Sequence, residues 1–287
     1  MAIPSTSFEF FPPRSLPASF ELWTALQELA ALDPAYVSVT YGAGGATRAL
    51  THETVEAIAR GRDLPICAHL TCVGASKAET LEVAERYAQA GVTQIMALRG
   101  DPPEGQSAFA PHPQGFADSV ALIRALADME RFTIRVAAYP TPHPEAKDAT
   151  SDVTWLKAKV EAGASEAVTQ FFFDPEDFLR FRDRCDRGGI KVPILPGILP
   201  IPSWSQVTRF ATRCGVSIPP RLDAKFQTAL RDGRADLLAL AECTALCDRL
   251  LTEGVEHLHF YTLNRPDLTR DVCRALGIRS RAQVVAA

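Results

Sequence analysis

The chain has 287 residues, of which 47% are hydrophobic and 22% charged, with a formal net charge of −4. That is enough for a large core, in one big domain or two small ones, and the balance is ordinary for a globular protein. The mild acidity gives no reason to expect a nucleic-acid partner or a membrane surface, and no apolar run approaches the roughly 20 residues that span a bilayer. The N-terminus, Met-Ala-Ile-Pro-Ser-Thr-Ser, lacks the charged start and apolar run of a secretory signal, so a cytoplasmic location is expected.

In chain order, residues 7–11 form an aromatic run carrying one carboxylate, Glu9, and Pro12-Pro13 stop it. Aromatic residues favour strands and a double proline cannot continue a ladder, so this reads as a short strand with Phe8 and Phe10 on one side, Glu9 and Phe11 on the other. Both sides look apolar, which leaves Glu9 two readings: a strand-end acid satisfied by Arg14 or a backbone amide, or a proton donor kept neutral near pH 7 by burial. Apolar spacing over 18–32 predicts a helix. Residues 36–40 are β-rich and run into a glycine loop at 41–45. Helix 51–60, strand 65–70, helix 77–90, strand 92–98 and a helix from about 116 to 128 follow. Strand 132–139, helix 152–162, strand 167–173, helix 175–187, strand 192–198 and helix 203–212 continue the alternation. Two successive helices, 224–230 and 235–251, break it before the last strand, 257–261, and the last helix, 268–276.

Eight strands alternating with helices imply right-handed parallel crossovers, and eight such units in this length fit a closed (β/α)₈ TIM barrel, α/β in class, with extra helices before the last strand. An open doubly wound sheet would carry a G-x-G-x-x-G turn after its first strand, where this chain has Pro-Pro-Arg. No linker is visible, so residues 1–287 are expected to be one barrel domain. The seven cysteines are odd in number and scattered, unlike a disulfide framework. Cys243 and Cys247 would share a helix face and His257 and His259 alternate along a strand, but neither pair has the further ligands a metal needs, so no metal is expected.

Barrel active sites lie at the C-terminal strand ends. Those ends carry Glu9 and Phe11; Thr40, Tyr41 and Gly42; His69; Arg99, Gly100 and Asp101; Tyr139 with His143; Gln170; Gly197; and Tyr261 with Arg265. Singly each reads as a loop cap or solvated residue; together they argue for a large polar-rimmed site, without choosing a reaction. A barrel aldolase or lyase would need a strand-end lysine for a Schiff base, and none of these ends has one. A non-catalytic flavin- or folate-binding barrel is a third reading.

Nine ordered segments carry a resemblance: residues 7–14 (SFEFFPPR), 37–43 (VSVTYGA), 69–72 (HLTC), 97–101 (ALRGD), 137–140 (AAYP), 143–147 (HPEAK), 169–174 (TQFFFD), 196–200 (PGILP) and 259–265 (HFYTLNR). They resemble methylenetetrahydrofolate reductase over about residues 7–277, in its short bacterial form without a C-terminal regulatory domain. The resemblance implies an oxidoreductase of one-carbon metabolism and methionine biosynthesis. It would bind FAD tightly at the barrel top and take NAD(P)H and 5,10-methylenetetrahydrofolate as alternating ping-pong substrates, yielding 5-methyltetrahydrofolate. It also implies a homo-oligomer.

Carried over residue by residue, the resemblance makes Glu9 the general acid that opens the folate's five-membered ring to an N5 iminium. Asp101 becomes the flavin-side carboxylate favouring that cation. Thr40 would contact nicotinamide, Gln170 both folate and nicotinamide, Phe210 would stack on bound ligand, and Gln206 and Arg265 would contact folate. For FAD it points to Tyr41, Ala43, His69, Arg99, Gly100, Asp101, Ala117, Tyr139, His143, Ala146, Asp152, Lys159 and Tyr261. Trp155 and Ala158 stand where the family's bacterial pattern has Asn and Arg; Trp155 could offset the lost cation by stacking.

Overall fold

The sheet is built entirely of parallel strands, laid out in the order β7-β6-β5-β4-β3-β2-β1-β9-β8. A computed structural model describes residues 3–42, 47–61, 64–102, 105, 109–143, 146 and 148–279. Within them the strands are β1 (Ser5–Phe10), β2 (Tyr36–Val39), β3 (Ile66–Thr71), β4 (Gln94–Leu98), β5 (Thr133–Ala138), β6 (Glu166–Thr169), β7 (Ile194–Leu195), β8 (Gly197–Ile198) and β9 (His257–Tyr261). The helices between them are α1 (Leu16–Ala30), α2 (Arg48–Gly61), α3 (Lys77–Gln89), α4 (Ser119–Ala127), α5 (Ala149–Glu161), α6 (Pro175–Arg187), α7 (Trp204–Arg213), α8 (Pro220–Arg231), α9 (Ala235–Thr252) and α10 (Pro266–Ala275). This is the α/β barrel expected from the alternation, with its extra helices before the last strand.

The expected strand 192–198 is two strands. Pro196 has no N–H for a ladder, so the chain changes partners across it. Leu195 pairs with Val168 on one side, whereas Gly197 pairs with His259 on the other. Pro196 still contributes its carbonyl, which accepts from the His259 amide at 3.1 Å. The barrel therefore nearly closes, through one strand shared between two neighbours. Gly197 is required there because a Cβ would lie 2.1 Å from the Thr169 carbonyl oxygen and 2.6 Å from the Tyr261 ring.

Helix starts explain most other boundary differences. Asp118, Asp148 and Asp174 each accept from amides of the first turn of α4, α5 and α6. Asp118 thus starts α4 at Ser119, not at 116, and leaves Ala117 outside the helix. Ser76 and Glu79 form a reciprocal cap on α3. Pro220, at the first helical position, starts α8 four residues before the expected 224. Strand β6 ends at Thr169, so residues 170–173 are loop.

Strand alternation divides the sheet. Phe8, Phe10, Val37, Val39, Leu70, Ile95, Val136, Leu258 and Phe260 face outward and pack with α1–α6 and α10 into the main core. The inward cluster is far smaller, just Tyr36, Cys67, Met96, Val168 and Leu195. A third cluster lies under the extra helices, where Trp204 stacks on Phe226 at 4.2 Å.

Candidate active site

Glu9 is the penultimate residue of β1 and faces into the barrel, with its side chain 13% exposed. Pairing puts it level with Ser38 of β2 and Tyr261 of β9. Two imidazoles converge on one carboxylate oxygen: His69 Nε2 at 3.2 Å and His259 Nε2 at 3.6 Å from Oε2. Both nitrogens are buried, and neither approach has hydrogen-bond geometry. Arg14 is exposed, and Glu9's close partners are these histidines.

Burial is the largest influence on the Glu9 carboxyl and pushes it up. The His69 charge, with the close polar approach of the His259 and His69 ring nitrogens, outweighs it and brings the carboxyl down to about 2. Of the two readings the aromatic strand left open, the structure favours a charged Glu9 with close polar partners, which are histidines in place of Arg14. The apolar neighbours Phe8 and Phe10 lie on the other face of the strand, and the inner face offers imidazoles. His259 was visible in the sequence only as a strand histidine without metal partners; its inward parity with Glu9 needed the pairing of the first and last strands.

The turn after β9 fixes the Glu9 backbone. Thr262 donates its hydroxyl to the Glu9 carbonyl at 2.7 Å. Asn264 brackets the next residue, accepting from the Phe11 amide at 2.8 Å and donating to its carbonyl at 3.0 Å. Leu263 and Asn264 both adopt left-handed backbone, with φ of 52° and 57°. For Leu this conformation costs free energy, and the surrounding bonds hold it. Neither residue stood out by type in the sequence.

A second group lies beyond β4 and β5. Gly100, at φ 87°, lets the chain turn after β4, and a Cβ there would meet Val73 at 2.6 Å. Arg99 lies over the Phe109 ring at 5.0 Å, and Asp101 is exposed at the rim. Tyr139 packs edge-on against His143 at 4.6 Å. Its hydroxyl is pushed up to about 12 by burial, with Asp101 adding to the effect. Asp152, in the first turn of α5, accepts from the His143 amide at 3.0 Å, and Ala146 donates its amide to the His143 carbonyl at 2.8 Å. Burial raises the Asp152 carboxyl despite the His143 amide and the charges of Lys159 and Arg184.

Lys159 follows two turns along α5 and donates to the Ala137 carbonyl at 2.8 Å. Burial and the nearby Arg99 charge, against the pull of Asp152, lower its ammonium to about 8. Trp155 lies between Asp152 and Lys159 on this helix and is 52% exposed. Ala117 is exposed just ahead of α4.

The remaining expected residues form the opposite wall. Phe210 of α7 stacks on Phe171 at 5.3 Å, and the Tyr261 hydroxyl donates to the Thr169 carbonyl at 2.6 Å. Gln170 turns its amide oxygen back to the Phe171 amide at 3.0 Å. Gln206 and Arg265 are exposed on the rim. Thr40 continues β2 by donating to the Phe10 carbonyl at 2.9 Å, and the Tyr41 hydroxyl bonds His52 at 2.7 Å. Ala43 lies outside the described residues.

Fold and site together define a parallel α/β barrel with an acid–imidazole centre and, beyond β4 and β5, a mixed charged group of Arg99, Asp101, Asp152 and Lys159 at its C-terminal end. A model of the methylenetetrahydrofolate reductase family matches residues 2–277. Relatives include the 5,10-methylenetetrahydrofolate reductases of Salmonella typhimurium and Escherichia coli, each 43% identical over 277 residues, spanning 96% of this chain and 91% of the relative. The chain belongs to the methylenetetrahydrofolate reductase family. Arabidopsis thaliana methylenetetrahydrofolate reductase (NADH) 1 is 33% identical, but the match spans 49% of its length. A Clostridium thermocellum protein, described as binding two copies of 5-methyl-5,6,7,8-tetrahydrofolic acid, shares the fold at TM-score 0.61 and 17% identity, over 96% of this chain and 94% of its own.

Proposed function

We propose that this protein is an FAD-dependent methylenetetrahydrofolate reductase that uses NAD(P)H, with Glu9 as its general acid. The observation that carries the reading is Glu9, buried among two imidazoles at the barrel mouth of a chain belonging to this family. That the Clostridium protein of the same fold is described as binding a methylated folate agrees with a folate substrate.

The residues present fit FAD. A half-buried ammonium depressed to about 8, with Arg99 near enough to push it further down, is a site short of negative charge. A diphosphate would supply that charge. The exposed Trp155 face offers a planar group a stacking partner. Bound FAD would carry the hydride from NAD(P)H to folate in two alternate half-reactions.

The chain's own residues then do three things. Lys159 and Arg99 hold anionic groups, and Phe210, backed by Phe171, offers a ring face to whichever substrate occupies the cleft. Glu9 and its histidines hold a proton. Substrate seated over the mouth excludes water, which penalises the bare carboxylate and favours its protonated form. The proton then lies on Glu9, positioned for the folate ring nitrogen whose loss of the methylene bridge opens the ring. Asp101 at the rim offers negative charge to the cationic iminium so formed. In the reverse direction Glu9 takes that proton back.

The test is a pair of half-reactions on the purified protein. A visible flavin spectrum that bleaches anaerobically with NADH is expected, and a colourless yet active protein would remove FAD from the mechanism. Glu9→Gln is expected to keep bleaching by NADH near the wild-type rate while slowing folate reduction by about 10²–10⁴-fold. Equal losses in both half-reactions would remove Glu9 as the specific acid.

A further inference from the structure

The inner face of the barrel carries a file of exchangeable protons behind Glu9, hydrogen-bonded from Ser5 to His259 and separated from Glu9 by one 3.6 Å gap. His259 lies level with Ser7 across the β1–β9 ladder, and His257 lies level with Ser5. Ser7 Oγ is 2.7 Å from His259 Nδ1 and 2.8 Å from His257 Nε2, and Ser5 Oγ hydrogen-bonds His257 Nδ1. At the upper end His259 Nε2 faces Glu9 Oε2 at 3.6 Å. At the lower end Ser5 is exposed, and together with His257 it lines a cleft of about 1630 Å³ at the N-terminal end of the barrel. That space is ample for water.

The geometry points to a proton relay that recharges Glu9 from the N-terminal end of the barrel, through Ser5, His257, Ser7 and His259. One assignment of tautomers makes the three hydrogen bonds of the file run donor to acceptor in the same direction, and a small approach of His259 to Glu9 would complete it. The Ser5 hydroxyl donates to His257 Nδ1, and His257 Nε2–H donates to Ser7 Oγ. The Ser7 hydroxyl donates to His259 Nδ1, and His259 Nε2–H points at Glu9. This assignment rests on the role proposed for Glu9, and it supplies what that role lacks. Once substrate and cofactor cover the mouth, an acid 13% exposed has no path to bulk water on that side.

Each turnover moves one proton per link. Glu9 gives its proton to the folate nitrogen and takes one from His259 Nε2. His259 Nδ1 takes the Ser7 hydroxyl proton, Ser7 takes the proton of His257 Nε2, and His257 Nδ1 takes that of Ser5. Water at the cleft restores Ser5. Within the file no group changes its net charge: the solvent at the cleft gives up one proton and the folate acquires it. The two imidazoles exchange tautomers and the hydroxyls reverse, so the file must rotate back before the next cycle.

Tyr36 holds the file in place. Its ring stacks on both imidazoles at 5.9 Å, with Arg135 at 4.0 Å on the ring. The Tyr36 hydroxyl, 3.5 Å from His259 Nδ1, is a poorer donor than Ser7 at 2.7 Å.

Ser7→Ala in the flavin-loaded enzyme breaks the file at its centre. Folate reduction is expected to slow by about tenfold or more, at unchanged reduction by NADH. Rates in mixtures of light and heavy water should curve for the wild type, where several protons move, and fall on a straight line for the variant. A Ser7→Ala rate within about twofold of wild type, or a slowed rate with the curvature retained, overturns the relay. If the variant does not fold, ring-nitrogen NMR of the wild-type protein decides: His257 is expected neutral at pH 7 with its proton on Nε2. A proton on Nδ1 alone, or on both nitrogens, breaks the stated direction. Glu9→Gln run beside it separates the two claims. An active Glu9→Gln overturns acid and relay together, whereas an inactive one beside a normal Ser7→Ala overturns the relay alone.

Discussion

The two faces of the same strands hold opposite kinds of residue. Outward from β1 stand Phe8 and Phe10, both essentially inaccessible and packed under helices. Inward stand Ser5, Ser7 and Glu9, paired level with His257, His259 and Tyr261. The outer face excludes water and carries the fold; the inner face is polar and titratable, and carries no comparable apolar cluster. The period-two geometry of a strand is enough to keep them apart, so chemistry can be altered on one face without touching the layer that stabilises the other.

The largest test of that division is Phe8→Ala. It should cost about 3–5 kcal/mol of stability by denaturant unfolding while the surviving folded fraction keeps its turnover per flavin. A comparable loss of stability on Ser7→Ala would break the division.

Lys159 blurs it, being a cation carried on an outer helix. Lys159→Met removes a charge that burial already disfavours, so stability should hold or rise slightly. Flavin affinity, by contrast, should weaken by about 1.5–3 kcal/mol in a fluorescence titration, the worth of a charged hydrogen bond. Unchanged affinity would detach Lys159 from the cofactor.

Acid sharpens the comparison next. Burial, with like charge from His259 and Arg135, lowers His257 to about 3, and burial with Arg86 and Arg48 lowers His52 to about 4. Below the unfolded value near 6.5 the unfolded chain binds protons these rings refuse, so stability falls as pH falls. Between pH 7 and 5 the loss should be on the order of 1 to 2 kcal/mol per histidine, allowing for partial exposure. Glu9, lowered to about 2, acts further down: its contribution is present above about 4.5 and is lost on acidification toward 2. A flat stability profile from pH 7 to 5 would contradict both histidine environments.

The smallest effect is expected at the turn after β9. Asn264→Ala loses two bonds to Phe11 and forces Ala into left-handed backbone, costing about 1–2 kcal/mol. Folate turnover should fall with it, because the Glu9 backbone is no longer braced, while reduction by NADH should not change. Loss in both steps alike would make the turn a general structural element.

Much of this architecture was legible in the chain. Alternating helix and strand signals, each a local property of about ten residues, give the barrel and its extra helices. The break at Pro196 was not, because a proline inside an apolar run does not say which neighbour each half will join. Nor was the company Glu9 keeps. Its apolar neighbours in sequence occupy the far face, and its actual partners stand sixty residues away, at His69, and 250 residues away, at His259. Local pattern determines which way a side chain points; what it meets there depends on strand pairing. Asn264 and Leu263 escaped notice for a related reason, since a left-handed turn built on Leu has no residue signature.

Pairing of β1 with β9 also has a consequence for how the protein is made. Residues 5–10 leave the ribosome some 250 residues before β9. At roughly 5–20 residues per second that is about ten to fifty seconds. For all that time one edge of β1 has its amides and carbonyls unpaired, beside a phenylalanine-rich face, which is the kind of edge that joins a neighbouring chain. The same late pairing brings His259 to Glu9, so the acid acquires its imidazole only as the last strand closes the barrel. A nascent chain thus carries its acid long before it carries the imidazole that completes it.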